Sequence, residues 1–339
     1  GCTLVPMLLE RGHEVIGLDS GLFEPCTIGE PVPDVAAVRA DIRDVEPEMF
    51  ADIDGVAHLA GISNDPLGDL NPATTYEINH LGTTRVAEAA KSAGVPRFVF
   101  SSSCSLYGAH GDDLIDESAE FLPVTPYGES KVLAERDLTA LADDSFSPVF
   151  LRNATAYGFS HRLRGDLVVN NLVGYAVTMG EVLMKSDGSP WRPLVHIEDI
   201  SRAFVAALEA PAESVHLEAF NIGRTVENYR VREVAEIVAE VVEGTELAFA
   251  EGAGPDTRNY RVDCTKAENS LPGYEPTWTV RKGVEELYDA YRRNDLDLDA
   301  LTGPRFQRIR RIQSLMDDHE LDTELRWTSV GAGNHTRSS

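Results

Sequence analysis

The chain has very little lysine. Only five of its 339 residues are lysine, whereas Asp and Glu together number 56, and the formal net charge is −26. Nucleic acid binding depends on cationic side chains that neutralise phosphates, so this balance argues against a nucleic acid partner. Two causes of the acidity remain open: a high-salt cytoplasm, in which an acidic surface keeps protein soluble, or a genome bias that favours arginine over lysine.

Cysteine and long apolar runs are also scarce. The four cysteines, Cys2, Cys26, Cys104 and Cys264, are scattered without the spacing of metal ligands, so we expect neither a metal site nor a disulfide framework. No apolar run approaches the roughly 20 residues that span a membrane, and the start of the chain lacks the pattern of a signal peptide. With 42% hydrophobic residues, the chain is expected to be a globular, cytoplasmic protein without a membrane partner.

A tyrosine and a lysine one helical turn apart are the most informative feature that is present. Tyr127 and Lys131 follow Pro126, which favours a helix start, and the strand before them ends in Ser101–Ser103. Residues four apart share one face of a helix, so the Lys131 ammonium can favour the ionised form of the Tyr127 phenol. Such a phenol is a usable general base near neutral pH, and Ser103 can hold the oxygen that loses its proton. The ordinary alternative is a solvated pair, since this spacing occurs by chance in many helices.

This pattern of serine, tyrosine and lysine resembles the extended branch of the short-chain dehydrogenase/reductase superfamily, the NAD-dependent epimerase/dehydratase family that acts on nucleotide sugars. The likeness runs from Gly1 to about Tyr291. It implies a catalytic triad of Ser103, Tyr127 and Lys131. It also implies NAD as the cofactor and a nucleotide sugar as the substrate.

The beginning of the chain corresponds to the middle of a dinucleotide-binding unit. Gly1 comes directly before a helical pattern, and residues 14–19 then read as a strand that ends in Asp19. In such a unit a strand and a glycine-rich turn precede that helix, so we interpret Gly1 as the last glycine of the turn, with the first strand and earlier glycines missing. Because that turn holds the pyrophosphate, the chain as written is expected to bind its cofactor weakly. Asp19 is placed to bind the adenosine ribose, which favours NAD over NADP.

Other predicted strands also end in residues that resemble the family's cofactor contacts. The resemblance places adenine contacts on Asp41 and Ile42. Ala60 and Gly61 are small residues that let the backbone approach a cofactor, and the following helix carries Asn79. The predicted cofactor-binding residues are Gly1, Asp19, Asp41, Ile42, Ala60, Gly61, Asn79, Tyr127 and Lys131.

Strands alternate with helices along most of the chain. Strands are predicted over residues 14–19, 35–41, 55–59, 97–103, 149–152 and 220–223, and helices over residues 72–93, 127–141 and 280–293. This order predicts an α/β fold, with a Rossmann-type doubly wound parallel sheet whose first strand is missing and a smaller α/β substrate-binding lobe. The cofactor is then expected across the carboxyl ends of the strands.

The predicted domain organisation follows from the same pattern. We expect an NAD-binding domain over residues 1–160 with returning segments near 194–224, a nucleotide-sugar-binding lobe over 161–193 and 225–293, a helical extension over 294–330 and a disordered tail over 331–339.

Basic residues around 306–312 are predicted to form a solvated face of a docked helix, with partner binding as the alternative. The resemblance further implies a homodimer, in which the helices over 72–93 and 127–141 pair in a four-helix bundle; periodicity alone would allow a monomer.

The second half of the chain contains a segment, Trp191–Asp199, that resembles the diphosphate-binding segment of the family. Its arginine, Arg192, has the bidentate fork that suits a diphosphate, although a plain surface charge is the alternative. His196 and Asp199 are expected to be structural.

The remaining substrate contacts depart in part from the family pattern. Thr155 stands where the family has an asparagine that touches substrate, and Ala253 stands where the nucleotide loop has an arginine. These departures argue against a strict galactose 4-epimerase and leave uridine recognition unsupported. The predicted substrate-binding residues are Ser103, Thr155, Asn170, Arg192, Asp256 and Arg258.

The residues directly after Ser103 favour one reaction of the family over another. Its dehydratases and decarboxylases carry carboxylates there, whereas this chain has Cys104 and Ser105. Without a second acid or base, elimination is disfavoured, and epimerisation needs none. We therefore predict an NAD-dependent nucleotide-sugar epimerase that forms a transient 4-keto sugar. The alternatives are a dehydratase or 4-ketoreductase of the same family, and a non-catalytic cofactor-sensing scaffold.

Overall fold

Strands and helices alternate along the computed structural model, which describes residues 1–63, 65–254 and 259–329. The strands are β1 (Ile16–Asp19), β2 (Ala36–Arg39), β3 (Gly55–His58), β4 (Arg97–Ser103), β5 (Leu114–Ile115), β6 (Ser147–Asn153), β7 (Thr155–Tyr157), β8 (Glu181–Ser186), β9 (Trp191–His196), β10 (Ala219–Ile222), β11 (Asn228–Arg230), β12 (Glu246–Gly254) and β13 (Arg261–Val262). The helices are α1 (Leu4–Glu10), α2 (Asp65–Gly68), α3 (Pro72–Tyr76), α4 (Thr83–Ser92), α5 (Pro126–Leu141), α6 (Val168–Met179), α7 (Ile197–Glu209), α8 (Ala212–Val215), α9 (Val231–Val241), α10 (Thr265–Ser270), α11 (Val280–Arg293), α12 (Leu298–Thr302) and α13 (Arg308–Asp317).

The central sheet has four parallel strands in the order β10-β6-β4-β3. The pairing of β4 with β6 runs from Arg97 opposite Ser147 to Ser103 opposite Asn153. Every residue of β6 is buried, as expected of a strand whose sheet is covered by helices on both faces. The predicted α/β fold with a parallel, doubly wound sheet is confirmed, and β10 returns to that sheet late in the chain.

A second parallel pair, β1 with β2, lies beside the central sheet. Within the described part of the chain no ladder of hydrogen bonds joins this pair to β3. Packing joins them instead, because Leu18 of β1 lies in the same hydrophobic cluster as Val56 of β3 and Phe98 of β4. Full burial of one such phenylalanine contributes about 1.5–3 kcal/mol.

Helices cover the two faces of the central sheet. On one face, α1 and α7 pack through Leu4, Leu8 and Phe204 against Val149 of β6. On the other face, α4 and α5 pack in the cluster that contains Phe98, where Leu138 is fully buried. The sheet therefore presents only its edges and its strand ends to the rest of the molecule.

The smaller lobe is built on two further sheets. β9 pairs parallel with β7 and antiparallel with β11, while β12 pairs parallel with β8. Helices α6, α9 and α11 pack over them around a core that includes Leu172, Val238 and Leu287. The division of the chain at the predicted domain boundaries stays a prediction.

The C-terminal part of the chain is docked rather than extended. Ile312 and Leu315 of α13 are buried, as expected of a docked helix, but Arg308, one of the basic residues predicted to lie on a solvated face, is buried as well. The tail predicted to be disordered, residues 331–339, lies outside the described residues. Among the helices of the described residues, none has the length and apolar character needed to cross a membrane.

Candidate active site

Local sequence fixes the start of α5 beside the end of β4. Thr125 caps the helix, its hydroxyl accepting a hydrogen bond from the Gly128 amide at 3.2 Å, and Pro126 occupies the first turn. A side chain at Gly128 would bring its Cβ within 2.8 Å of the Ser105 carbonyl oxygen. The glycine therefore allows the helix to approach the strand end, which puts Tyr127 next to the serines of β4.

The three residues of the predicted catalytic triad come together at this point. Tyr127 lies beside Ser103, and hydrogen bonding by the Ser103 hydroxyl lowers the pKa of the Tyr127 phenol. The Lys131 ammonium donates to the Ser101 carbonyl at 2.8 Å and lies 5.8 Å from the centre of the Tyr127 ring. The structure thus brings together the groups that the sequence analysis grouped, and their catalytic roles stay a prediction.

The electrostatics of Tyr127 differ from the expectation of a phenol acidified by Lys131. Burial raises the pKa of Tyr127 above its ordinary value, and the opposing contributions come from the Ser103 hydrogen bond and from Arg164. Burial also lowers the pKa of Lys131 to about 8. The Lys131 ammonium faces the Ser101 carbonyl and the Phe100 ring, 4.6 Å away. Since the pKa of Tyr127 is raised, this chain's own groups leave the phenol protonated at neutral pH.

A second cation, Arg164, acts on Tyr127 and was not among the predicted site residues. The Arg164 guanidinium donates to Asp166 at 2.8 and 3.0 Å and to the Ser63 hydroxyl at 2.9 Å. Its charge lowers the pKa of Tyr127. An arginine two residues before an aspartate was the available signal, but only the fold shows that the charge of this arginine acts on the phenol.

Arg164→Gln is therefore expected to move the pH dependence of the reaction. Removing a cation that lowers the pKa of Tyr127 raises that pKa, so a smaller fraction of the phenol is ionised at any given pH and kcat falls. A rise of one pKa unit lowers that fraction, and with it kcat, about 10-fold. Arg164→Lys keeps the charge and should restore part of the loss, whereas Arg136→Gln, on the exposed side of α5, should change nothing. A profile unmoved in Arg164→Gln would contradict this role.

A buried ion network lies directly behind the site. Glu135, one turn after Lys131, accepts hydrogen bonds from Ser102 at 2.5 Å and from Arg152 at 2.8 and 3.1 Å. Arg152 also donates to the Tyr107 hydroxyl at 3.0 Å. The negative charge of Glu135 raises the pKa of Lys131 against the effect of burial. The network therefore ties α5 to β4 and β6 and supports the charged form of the lysine.

The predicted cofactor residues lie at the ends of successive strands. Asp19 ends β1 with a largely exposed carboxylate that accepts from the Gly21 amide at 2.7 Å. Asp41 and the buried Ile42 follow β2, where the Asp41 carboxylate accepts from Arg43 at 2.6 Å. Gly1 is exposed at the start of α1. An accessible acceptor at the end of β1 fits the ribose of a dinucleotide.

The loop after β3 approaches the catalytic lysine closely. Gly61, after the half-buried Ala60, has a φ of +149°, and a Cβ there would lie 2.9 Å from the Asn79 side-chain oxygen and 4.0 Å from the Lys131 nitrogen. This open backbone beside the lysine fits the close approach of a cofactor. Asn79 is fully buried and exchanges hydrogen bonds of 2.6 and 2.8 Å with the Ile62 backbone, so it holds this loop in place.

The helix predicted over residues 72–93 is interrupted at Asn79. A π-helical segment, Glu77–Gly82, joins α3 to α4, and such insertions in helices are frequent at functional sites. The segment places the Asn79 side chain against the loop after β3 and the Ser130 hydroxyl, 3.2 Å away. Periodicity in the sequence does not reveal such an insertion.

The predicted substrate residues differ in their burial and in their hydrogen bonds. Thr155 is half-buried on β7, and Arg192 is buried on β9 with a hydrogen bond of 2.7 Å to the Trp191 carbonyl. Asn170 is buried, and its amide is bonded to the Gly158 backbone and the Arg164 carbonyl. These bonds hold the loop of Arg164 in position, and the role of Asn170 as a substrate contact stays a prediction. Asp256 and Arg258 lie outside the described residues.

Cys104, His196 and Asp199 are all engaged within the fold, and His196 and Asp199 were expected to be structural. Burial raises the pKa of the Cys104 thiol well above its ordinary value, which makes it a poor acid or base. His196 stacks on Trp278 and bonds to Glu286 at 2.9 Å. Asp199 accepts hydrogen bonds from the backbone amides of Thr277 and Trp278. No cluster of His, Cys, Asp or Glu within the described ranges has the arrangement of a metal site.

Comparison with known proteins gives consistent matches across the chain. The family model described as "NAD dependent epimerase/dehydratase family" matches residues 1–223. The UDP-glucose 4-epimerase of Bacillus subtilis (strain 168) is 30% identical over 308 residues, which is 83% of this chain and 89% of that protein.

Solved structures match over a similar extent. The structure of MoeE5 in complex with UDP-glucuronic acid and NAD has a TM-score of 0.75 at 28% identity, and the match covers 86% of this chain and 96% of that one. The UDP-glucose 4-epimerase of Thermotoga maritima with UDP-glucose has a TM-score of 0.72 at 26% identity, with 87% and 96% coverage.

Proposed function

Because the chain belongs to the NAD-dependent epimerase/dehydratase family, we propose that it is a nucleotide-sugar epimerase that acts through a transient 4-keto sugar. The observation that carries the proposal is the position of Tyr127 beside Ser103 at the end of β4, next to Lys131 and the open backbone of Gly61. These groups supply a base, a holder for the sugar hydroxyl and a cation within one small region. Relatives that bear the name UDP-glucose 4-epimerase support the same reaction.

Each side chain has a separate task in this proposal. In its phenolate form Tyr127 takes the proton of the sugar C4 hydroxyl, and Ser103 holds that oxygen. Bound NAD supplies the acceptor for the hydride that leaves C4 and returns it to the other face. Lys131 holds the cofactor ribose, while Arg164 favours the phenolate form of Tyr127.

The surroundings of Ser103 support epimerisation over elimination. Cys104 is buried with a raised pKa, and Ser105 bonds to Ser103 at 3.1 Å, so neither residue directly after the strand supplies a second acid.

One observation favours a dehydratase as the second candidate. Asp65 accepts from the Thr125 hydroxyl at 2.7 Å, and its charge raises the pKa of Tyr127, so a carboxylate does face the site from α2.

The deciding experiment is incubation with a panel of UDP-, GDP-, dTDP- and CDP-hexoses and UDP-glucuronic acid, followed by mass spectrometry and proton NMR. An epimerase gives a second sugar of unchanged mass whose C4 proton has a new coupling pattern. A product lighter by one water would replace the proposal with the dehydratase. A keto product without any epimer would point to the 4-ketoreductase alternative, in which the enzyme reduces such ketones. No turnover of any kind would favour the scaffold.

We also propose that the protein is a cytoplasmic homodimer. Helices α4 and α5 pack side by side, and Leu81 at the start of that region is 57% exposed. Pairing of these helices with their copies would form a four-helix bundle and cover that leucine. All four cysteines are free, as is usual in a reducing compartment. Light scattering on the purified protein measures the oligomeric state directly.

A further inference from the structure

The last described part of the chain packs on the cofactor side of the molecule. Residues 321–327, which we call the C-terminal clasp, follow α13. Leu321 and Leu325 of the clasp join Ile62 and Leu67, from the region after β3, in one hydrophobic cluster with α13. The clasp is therefore held by a buried apolar contact and is not a loose surface strand.

The clasp contacts the regions that follow three successive strands. The Trp327 indole donates to the Ser20 carbonyl, directly after β1, at 2.7 Å. The Glu324 carbonyl accepts from Arg43, after β2, at 2.8 Å. Leu325 packs against Ile62 after β3. One short segment thus spans the ends of β1, β2 and β3.

Charged groups of the clasp reach the aspartates after β2. Arg326 pairs with Asp44 at 2.5 Å and lies 4.0 Å from Asp41. Arg43, which bonds to the clasp backbone, also holds Asp41 at 2.6 Å. The Arg39 guanidinium lies 5.1 Å from the centre of the Trp327 ring. The position of Asp41 therefore depends on two arginines, of which one belongs to the clasp and the other is anchored by it.

We infer that the C-terminal clasp determines cofactor affinity, with Arg326 and Trp327 as positioning residues for the adenosine half of NAD. The inference rests on the proposed assignment of Asp19, Asp41 and Gly61 to the cofactor. These residues lie in or beside the regions that the clasp ties together. Binding to loops that are already ordered does not carry the entropic cost of ordering them, so loss of the clasp should weaken binding without altering the chemistry.

The test compares NAD and ADP-ribose binding by titration calorimetry in the full chain and in variants. Arg326→Ala is expected to raise the Kd of both ligands about 10-fold, which corresponds to about 1.4 kcal/mol. Arg326→Lys keeps the charge and should restore part of the affinity. At saturating NAD, kcat and the KM for the sugar nucleotide should stay within twofold of the unaltered protein.

Arg305→Ala provides a matched control on the same extension. Arg305 donates two hydrogen bonds, of 2.7 and 3.1 Å, to the Thr27 carbonyl, which lies outside the three tied regions. Its loss should leave both Kd values unchanged. The inference is overturned if Arg326→Ala binds NAD as the unaltered protein does, if Arg305→Ala weakens binding equally, or if the clasp variant binds more tightly. If the unaltered protein turns over nucleotide sugars without binding NAD, the proposed function fails instead.

Discussion

Tyr127→Phe is expected to lower kcat by about 10²–10⁴-fold, the range that a well-placed general acid or base contributes. The substitution removes a single oxygen, whose hydrogen-bond partner is the Ser103 hydroxyl. Binding of NAD and of the sugar nucleotide should persist, because phenylalanine keeps the ring between the strand end and α2. The loss should therefore be in kcat and not in KM.

Steady-state kinetics and calorimetry together check this expectation. Tyr76→Phe serves as the matched control, since the Tyr76 hydroxyl bonds to Glu129 at 2.6 Å in the same helical region but outside the predicted triad. The control should keep kcat within about twofold, and both variants should unfold within about 1 kcal/mol of the unaltered protein. A Tyr127→Phe protein with nearly full kcat would remove the phenol from the mechanism and with it the proposed reaction.

Much of the frame around Tyr127 could be predicted from sequence. The bounds of β4 and α11 agree with the predicted strand over residues 97–103 and helix over residues 280–293. Both have strong local signals, the apolar run Phe98–Phe100 in the first and a helical repeat with a Thr279 cap in the second. The positions of Tyr127 and Lys131 on one face of α5 also follow from local sequence, because the Thr125 cap sets the start of the helix. Their approach to Ser103 is a tertiary effect, since 22 residues separate the strand from the helix and Gly128 permits the contact.

The electrostatics of the site could not be predicted in the same way. The pKa of Tyr127 depends on how deeply the phenol is buried and on Arg164, which is 37 positions further along the chain. Asn170 carries an amide of the kind that binds ligands, but in the fold this amide donates hydrogen bonds to backbone carbonyls. The contacts of the C-terminal clasp join residues about 300 positions apart. Periodicity carries no information on such pairs.

The second large effect is expected at Glu135, which joins the stability of the fold to the charge of the site. Glu135 and Arg152 are both buried, and they form a bidentate pair next to Ser102. Removing one partner of a buried pair leaves the other charge uncompensated and costs about 3–5 kcal/mol. Glu135→Gln is therefore expected to lower the free energy of unfolding by that amount, measured by urea denaturation.

An exposed pair gives the control for this measurement. Arg281 and Glu240 form an ion pair whose side chains are both about half exposed. Glu240→Gln should change the free energy of unfolding by less than about 1 kcal/mol, since solvent screens such pairs. Replacement of the buried pair as a whole, Glu135→Leu with Arg152→Met, should recover part of the loss because no charge is then left unpaired.

Glu135→Gln should also move the pH dependence of catalysis. The pKa of Lys131 is about 8, and the Glu135 carboxylate raises it against burial. Without that carboxylate the pKa falls below 8, so Lys131 loses its proton at lower pH and the falling limb of the kcat–pH profile moves toward neutrality. Folded enzyme at low temperature, checked by circular dichroism, separates this shift from unfolding. A variant with an unshifted falling limb and an unfolding free energy within 1 kcal/mol of the unaltered protein would show that the network supports neither α5 nor the charge of its lysine.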